Sequence, residues 1–540
     1  MAASLSAEAR WREGARGAAA AALALFLGAV PAPAATPPDT IIMARSIDDI
    51  VSLDPAEAYE VSGGEVIGNV YDRLIENDPA APGRFRPGLA ANWSADEDGR
   101  HFQFRLRSGV RFASGHPVTA ADAAFSLRRA VLLDRAPALI LRQLGLTRDN
   151  VRERVRAVDA TTLTIETGAA LPAALAYACL AAPVGSVVDE QAAMAHAEEG
   201  DFGAHWLATH GAGSGAYRLV TWQPGERYVL AADAEYWGGA PANRRVIVRH
   251  VKDGVTQRLM LMRGDIDYAR DLDRDQLDGL AHEPGLRFDR RVQSLITYLA
   301  LNQKNPYLGR PEIVAAIKVL VDYDGIGRLL LGPTAIAHQA FEPEGLPGAI
   351  SDTPFRFDPA HAKALLASAG LAEGFTVSID VRNASPWTEV AQALQADFAT
   401  AGIRLTIIPG DGKQVLTKYR ARHHDIFLGE WAPDYADPNS NAEAFAANDD
   451  NSDDASRKTP AWRSAWSDAA MNAAVAAAAT ERDPTRRAAL YEALQRSHQQ
   501  VAPFVFLFER IEVAAHPVSV DGFVLGFTPS DDRYARIAKH

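Results

Sequence analysis

The feature that most constrains the fold is an alternation of helix-like and strand-like segments in the C-terminal part of the chain. Asp358-Pro359 places a capping aspartate before a proline at the first helical position, and Leu365 and Leu366 follow before Gly370. Val390, Leu394 and Phe398 recur every four residues on one helical face, which Gly402 ends. Ile403-Arg404-Leu405-Thr406-Ile407 then alternates as a strand does. Asp483-Pro484 opens a further helix, with Leu490 and Leu494 expected inward. Residues 502–508 are almost wholly apolar, the pattern of a strand covered on both faces. Units of this kind bury their apolar faces by layering helices on a sheet, so the expected class is α/β.

Size and cysteine content set the next bounds. A chain of 540 residues exceeds one compact core, and two to four domains are expected. The single cysteine, Cys179, permits no intramolecular disulfide, and its apolar surroundings predict a buried small hydrophobe. The net charge of -13 and the lack of a Lys/Arg-rich run argue against nucleic acid as a partner.

The N-terminus reads as a secretory signal peptide over residues 1–35. Arg10, Arg12 and Arg16 precede an apolar run over residues 18–30, and Pro31-Ala32-Pro33-Ala34-Ala35 supplies the small-residue cleavage site. The run is short for a spanning helix, which needs ~20 apolar residues. No cysteine follows it to carry a lipid, so a free, exported, periplasmic protein is expected.

Earlier segments show mixed patterns. Ile41-Ile42-Met43-Ala44 reads as a strand, and Val66, Val70 and Leu74 have helical spacing. From Ala90 to Phe112 the pattern has period two: His101 to Leu106 alternates polar and apolar, Ser108-Gly109 turns, and Val110-Arg111-Phe112 continues, which predicts a hairpin with one face buried. Thr119 and Asp122 form an approximate capping box. Gly211-Ala212-Gly213-Ser214-Gly215 lacks the lysine of a phosphate loop, so its glycines are expected to permit tight backbone geometry. Tyr217 to Val220 and Glu226 to Leu230 follow as strands.

One loop carries candidate chemistry. Gly429-Glu430-Trp431-Ala432-Pro433-Asp434-Tyr435-Ala436-Asp437-Pro438 follows the apolar segment Asp425-Ile426-Phe427-Leu428. A carboxylate held beside Trp and Tyr faces suits capture of a cationic group such as a peptide amine. The same residues also suit a surface turn whose aspartates cap backbone amides.

Taken together, these stretches resemble the family 5 extracellular solute-binding proteins, the periplasmic dipeptide and oligopeptide receptors of ABC importers. The resemblance rests on Leu53-Asp54-Pro55-Ala56 with residues 69–74, on residues 104–112 with 117–122, and on residues 213–219 with Tyr236-Trp237-Gly238-Gly239. Residues 362–370 and the 431–438 loop complete it, in order along essentially the whole mature chain.

The resemblance implies a type II periplasmic-binding-protein fold of two hinged lobes and one inserted domain. Lobe I would comprise residues 36–75, 211–285 and 504–540, the inserted domain 76–210, and lobe II 286–503. It also implies a binding protein rather than an enzyme, with no cofactor. The expected state is a monomer serving an inner-membrane permease and its ATPase. Asp434 matches the residue that holds the ligand's α-amino group, with Trp431 and Tyr435 as walls. Arg382 lies near the arginine that meets the carboxylate in the dipeptide receptors. Glu60, Val61 and Ser62 fall where the family supplies backbone contacts. The absence of cysteine pairs and the acidic stretch Asp449-Asp450-Asn451-Ser452-Asp453-Asp454 depart from the dipeptide receptors. Opines, glutathione, nickel complexes, haem and oligosaccharides are the family's other ligand classes.

Rival motifs fail on spacing. A calcium loop at Asp449 would need glycine where Asp454 stands. His423-His424-Asp425 alternate faces on a strand and cannot converge on a metal. Ser214 lacks the outer glycines of a nucleophile elbow, because Ala212 and Ala216 stand there, so an exported hydrolase is the less favoured alternative.

Overall fold

The computed structural model describes residues 36–540. The expected signal peptide lies outside the described residues. Among those residues, no helix is long and apolar enough to cross a membrane.

Eleven strands form one mixed sheet, and its middle explains the architecture. Two long strands, Leu286–Leu301 and Phe504–Pro517, pair antiparallel through the whole sheet. Pairing runs from Leu286 to Val292 and resumes at Ile296, with an irregular register between. On one side of that break lie Tyr268–Ala269, Thr40–Arg45 and Arg245–His250, the last two parallel, then Arg227–Ala232 and Tyr217–Gln223. On the other lie Ile426–Trp431, Thr376–Arg382 and Arg404–Gly410, all three parallel. Each half has its own apolar core: Ile41, Val66, Leu230 and Val246 on the first side, Ile317, Ile379, Leu394 and Phe398 on the second.

A separate four-stranded antiparallel sheet holds Ala90–Ala95, His101–Leu106, Thr162–Glu166 and Val155–Ala157. It packs on the helices Ala120–Leu133 and Ala173–Ala181 to form a third core. Cys179 is buried there. The capping box at Thr119 and Asp122 opens the first of these helices, with both reciprocal hydrogen bonds present.

The structure corrects three local expectations. The alternating strand His101–Leu106 does bury every second residue, but its partners are Ala90–Ala95 and Thr162–Glu166 rather than Val110-Arg111-Phe112. Period-two patterning fixes which face is buried and not which strand pairs. The first helix is Val61–Val70 and stops before Leu74, which is buried in extended chain beside the strand Ile75–Asn77. The Gly215 backbone N–H bonds the Val70 carbonyl at 3.0 Å, and a Cβ at Gly213 would sit 2.1 Å from that same oxygen. The glycine-rich approach therefore closes this end of the helix by backbone contact. In the helix Pro484–Val501, Leu490 is 38% exposed, and Tyr491, Leu494 and His498 face inward.

Candidate functional site

The 429–438 loop leaves the second half of the large sheet, meets Tyr59 through Asp434 and enters the core of the four-stranded sheet through Tyr435. It leaves the strand Ile426–Trp431, whose pairing with residues 296–301 holds its start. Its far end is tied by Asp437, whose two carboxylate oxygens each accept from Arg487 at 2.7 Å, both residues being buried. Asp437 also accepts from the Asn439 backbone N–H at 2.9 Å, at the start of the helix Asn439–Ala446. Between these anchors Tyr435 is 3% exposed and packs into the apolar core of the inserted sheet, while Asn439 donates to its hydroxyl at 3.0 Å.

Asp434 stands half-buried at the crest of this loop. Its backbone N–H donates to Ser440 Oγ at 2.8 Å, and its carboxylate accepts from the Tyr59 hydroxyl at 2.5 Å. Tyr59 comes from the chain just before the helix Val61–Val70, whose Val66 lies in the core of the first half of the sheet. Burial pushes the Asp434 carboxyl up to about 6, while the Tyr59 hydrogen bond and the more distant Arg463 charge hold it down. Such a group gains most from a ligand that brings a positive charge and N–H donors.

A cavity of about 120 Å³ opens beside this pair. Its walls come from every part of the fold: Tyr59 and Val61, Ile140 and Val184 of the inserted region, Asp434, and Ser530 near the C-terminus. Two further ties join the region of the four-stranded sheet to the second half. Gln143 donates to Glu443 at 2.6 Å, and the Arg482 guanidinium donates to the Glu97 carbonyl.

The sequence-predicted residues separate into two groups. Glu60, Val61, Asp434 and Tyr435 line this cavity together. Glu60 stands at the N-cap position without capping, and its carboxylate accepts the Tyr59 backbone N–H at 3.1 Å. Burial raises its pKa. Trp431, Ser62 and Arg382 are not among its lining residues. Trp431 is half-buried and donates its indole N–H to Asn441 at 3.1 Å. Ser62 is buried, with its backbone N–H on Asp49 at 3.0 Å. Arg382 is exposed at its strand end, and its guanidinium lies against Gly412. Burial raises the Glu430 carboxyl, and the charges of Arg510 and then Arg382 hold it down.

Tyr59 is the clearest residue that sequence reading passed over. It sits next to the named Glu60, but nothing local announces a partner 375 positions away.

The rival motifs resolve into structural roles. Ser214 is buried and donates to Asp72 at 2.9 Å, which also accepts from Tyr236 and Trp237. His424 is buried, and Asp425 bonds Ser378 at 2.7 Å. In the acidic stretch, Asp449 pairs with Arg457 at 3.2 Å and Asp453 with Arg422 at 3.1 Å. No cluster able to hold a metal occurs among the described residues.

A probable D,D-dipeptide-binding periplasmic protein of Escherichia coli is 27% identical over 507 residues, covering 93% of this chain and 95% of that protein. A periplasmic binding protein of Helicobacter pylori, solved with the peptide STSA, superposes with a TM-score of 0.80 at 23% identity, over 93% of this chain and 98% of that one. A binding protein from Agrobacterium tumefaciens R10, solved with mannopinic acid, gives a TM-score of 0.80 at 22% identity, over 93% and 100%. These likenesses show the expected α/β periplasmic-binding-protein fold. The profile described as bacterial extracellular solute-binding proteins, family 5 middle, matches residues 84–453. The chain belongs to the family 5 bacterial extracellular solute-binding proteins.

Proposed function

We propose that this protein captures short peptides by their free amine in the cleft between its lobes and delivers them to an inner-membrane ABC importer. The observation that carries the reading is the Asp434 carboxylate. It is half-buried between lobes, with a hydroxyl where a cationic donor would bind more strongly. Names among the relatives, including the D,D-dipeptide-binding protein, support peptides as the ligand class.

Residues 36–75, 211–285 and 504–540 act as one lobe, 76–210 as the inserted domain and 286–503 as the second lobe. Closure turns on the two long strands at the register break between Val292 and Ile296, where ladder pairing is interrupted. The protein works in the periplasm, as a monomer, after removal of its leader, and hands its ligand unchanged to a permease driven by its ATPase.

The test is mass spectrometry of ligand released from natively purified protein, with the same peptides then incubated with the stripped protein. Uncleaved peptides with free amines, each raising the melting temperature by mass action, are the expected result. A released molecule with no cationic terminus would remove the amine anchor. Cleaved peptides would remove the transport reading.

A further inference from the structure

One outer edge of the large sheet carries an unpaired positive face. Residues 216–263 hold eight Lys or Arg against four Asp or Glu, in a chain whose net charge is -13. Along Arg245–His250, Val246 and Val248 enter the core, while Arg245, Ile247 and Arg249 take the other face. The register sets Arg249 directly opposite Arg227, and Arg245 opposite Ala231, which in turn stands opposite Arg218 on the outermost strand. Directly opposed residues of an antiparallel pair share a face, so Arg218, Arg227, Arg245 and Arg249 stand together, all exposed. Two cations opposite each other disfavour the pairing that holds them. Among the described residues none of the four makes an ion pair, whereas buried Arg270 of the same half meets three carboxylates. The Arg227 Nε donates instead to the neutral Gln223 side chain at 2.8 Å.

The helix Gly254–Arg263 continues this face. Ile42 pairs in register with Ile247 and packs on the core that holds Leu261 of the helix, so the helix covers the same side of the sheet. Gln257 and Leu261 are its buried residues. Val255, Leu259 and Met262 form a stripe at i, i+4 and i+7, yet they are 49%, 47% and 49% exposed. At about 3.6 residues per turn, Arg258 falls on one side of that stripe and Arg263 on the other. The acids at the start of the helix are engaged in the fold: Asp253 accepts the Thr256 backbone N–H at 2.7 Å, and Asp48 pairs with Lys252. None of these residues lines the cavity at Asp434.

This combination limits the occupant. A row of large apolar side chains left in water marks a contact surface. An apolar stripe flanked by arginines is the pattern of a helix that lies in a headgroup layer, with its stripe among the acyl chains and its cations beside phosphates. Arginine forks match phosphate oxygens bidentately. The excess charge on the rest of the chain is negative, so an anionic surface repels the remainder of the molecule and attracts this face, which sets an orientation as well as an affinity.

We propose that Arg218, Arg227, Arg245 and Arg249, with the stripe of Val255, Leu259 and Met262, rest on anionic phospholipid headgroups of the membrane that holds the permease, keeping the carrier close to its importer. This rests on the periplasmic reading above and is independent of the ligand.

The test is co-sedimentation of the full mature chain with vesicles, at low and at high salt. Wild type should bind vesicles of equal parts phosphatidylglycerol and phosphatidylethanolamine at least about 25-fold more tightly than vesicles of phosphatidylcholine, and high salt should erase the difference. At about fivefold per arginine, Arg227→Gln/Arg249→Gln should weaken binding to the anionic vesicles by about 25-fold. Leu259→Gln should weaken it by about fivefold through lost apolar burial. Arg148→Gln/Arg152→Gln removes the same charge from exposed positions of the inserted region and should bind as wild type does. All variants should keep the wild-type melting temperature or exceed it, and should keep the wild-type affinity for any peptide that the protein releases, titrated without lipid. Equal binding to the two vesicle types overturns the assignment and leaves the peptide reading intact. So does an Arg148→Gln/Arg152→Gln protein that loses as much as Arg227→Gln/Arg249→Gln, because net charge and not this face would then be responsible. Self-association that Arg227→Gln/Arg249→Gln abolishes, without vesicle binding, gives the face to a second copy and overturns it too. Failure of the released-ligand experiment leaves a positive vesicle result standing.

Discussion

Replacing Asp434 with asparagine should stabilise the empty protein and destroy its ligand binding. The carboxyl rises from 3.8 to about 6 because the fold withdraws it from water. An acid whose folded pKa lies above its unfolded value favours the folded state fully below the unfolded pKa, and that advantage is lost as pH rises through the folded pKa. A shift of this size corresponds to about 3 kcal/mol at neutral pH, and the solvent edge of the half-buried side chain reduces this to about 1–2 kcal/mol. Asparagine keeps an acceptor for the Tyr59 hydroxyl and carries no charge to desolvate. Asp434→Asn should therefore be about 1–2 kcal/mol more stable than wild type at pH 7.5, with the gap closing between pH 6 and 4. Binding should fall by about 100-fold or more, because the charge-assisted bond is lost and the ligand ammonium is buried without a counter-charge. Denaturant unfolding of ligand-free protein across pH, with calorimetric titration of peptide at pH 7.5, measures both quantities. A variant less stable than wild type at pH 7.5, or a gap that widens on acidification, would refute the desolvation argument. Unchanged peptide affinity would refute the anchor.

Other perturbations test neighbouring parts of the same reasoning. Tyr59→Phe removes a hydrogen bond that holds the Asp434 carboxyl down, so the loss of peptide affinity on acidification should begin at a higher pH than in wild type, read from Kd against pH. Arg487→Met leaves buried Asp437 unpaired and should cost about 3–5 kcal/mol by denaturant unfolding, with the loop that carries Asp434 loosened. Gly213→Ala drives a Cβ into the Val70 carbonyl and the Tyr71 backbone, which cannot yield, so soluble expression should fall sharply and melting temperature should drop in what remains.

Much of the secondary structure was legible because it is written in local spacing. The capping box at Thr119, the helix through Val390, Leu394 and Phe398, and the strand after Gly402 each follow from residues within a few positions of one another. Where expectation and structure part, distant chain decides. His101–Leu106 pairs with Ala90–Ala95 before it and with Thr162–Glu166 sixty residues on, and not with Val110-Arg111-Phe112. The first helix ended where the glycines at 213 and 215 dock against it. Leu490 yielded the inward face to Tyr491, a contact set by the whole packing of that helix.

The candidate site divides in the same way. The sequence by itself determined the α/β class and the family resemblance, and it singled out Asp434 as the candidate anchor, because an aromatic, acidic, proline-bounded loop is a contiguous signal. Only the tertiary structure decided what Asp434 meets. Tyr59 donates to its carboxylate from the chain before the first helix, the Arg463 charge acts on it from another element, and the Arg382 guanidinium lies against Gly412. The physical reason is range: backbone propensity and side-chain periodicity act over a few residues, whereas charge compensation and burial are settled by whichever groups the closed chain brings within a few ångströms.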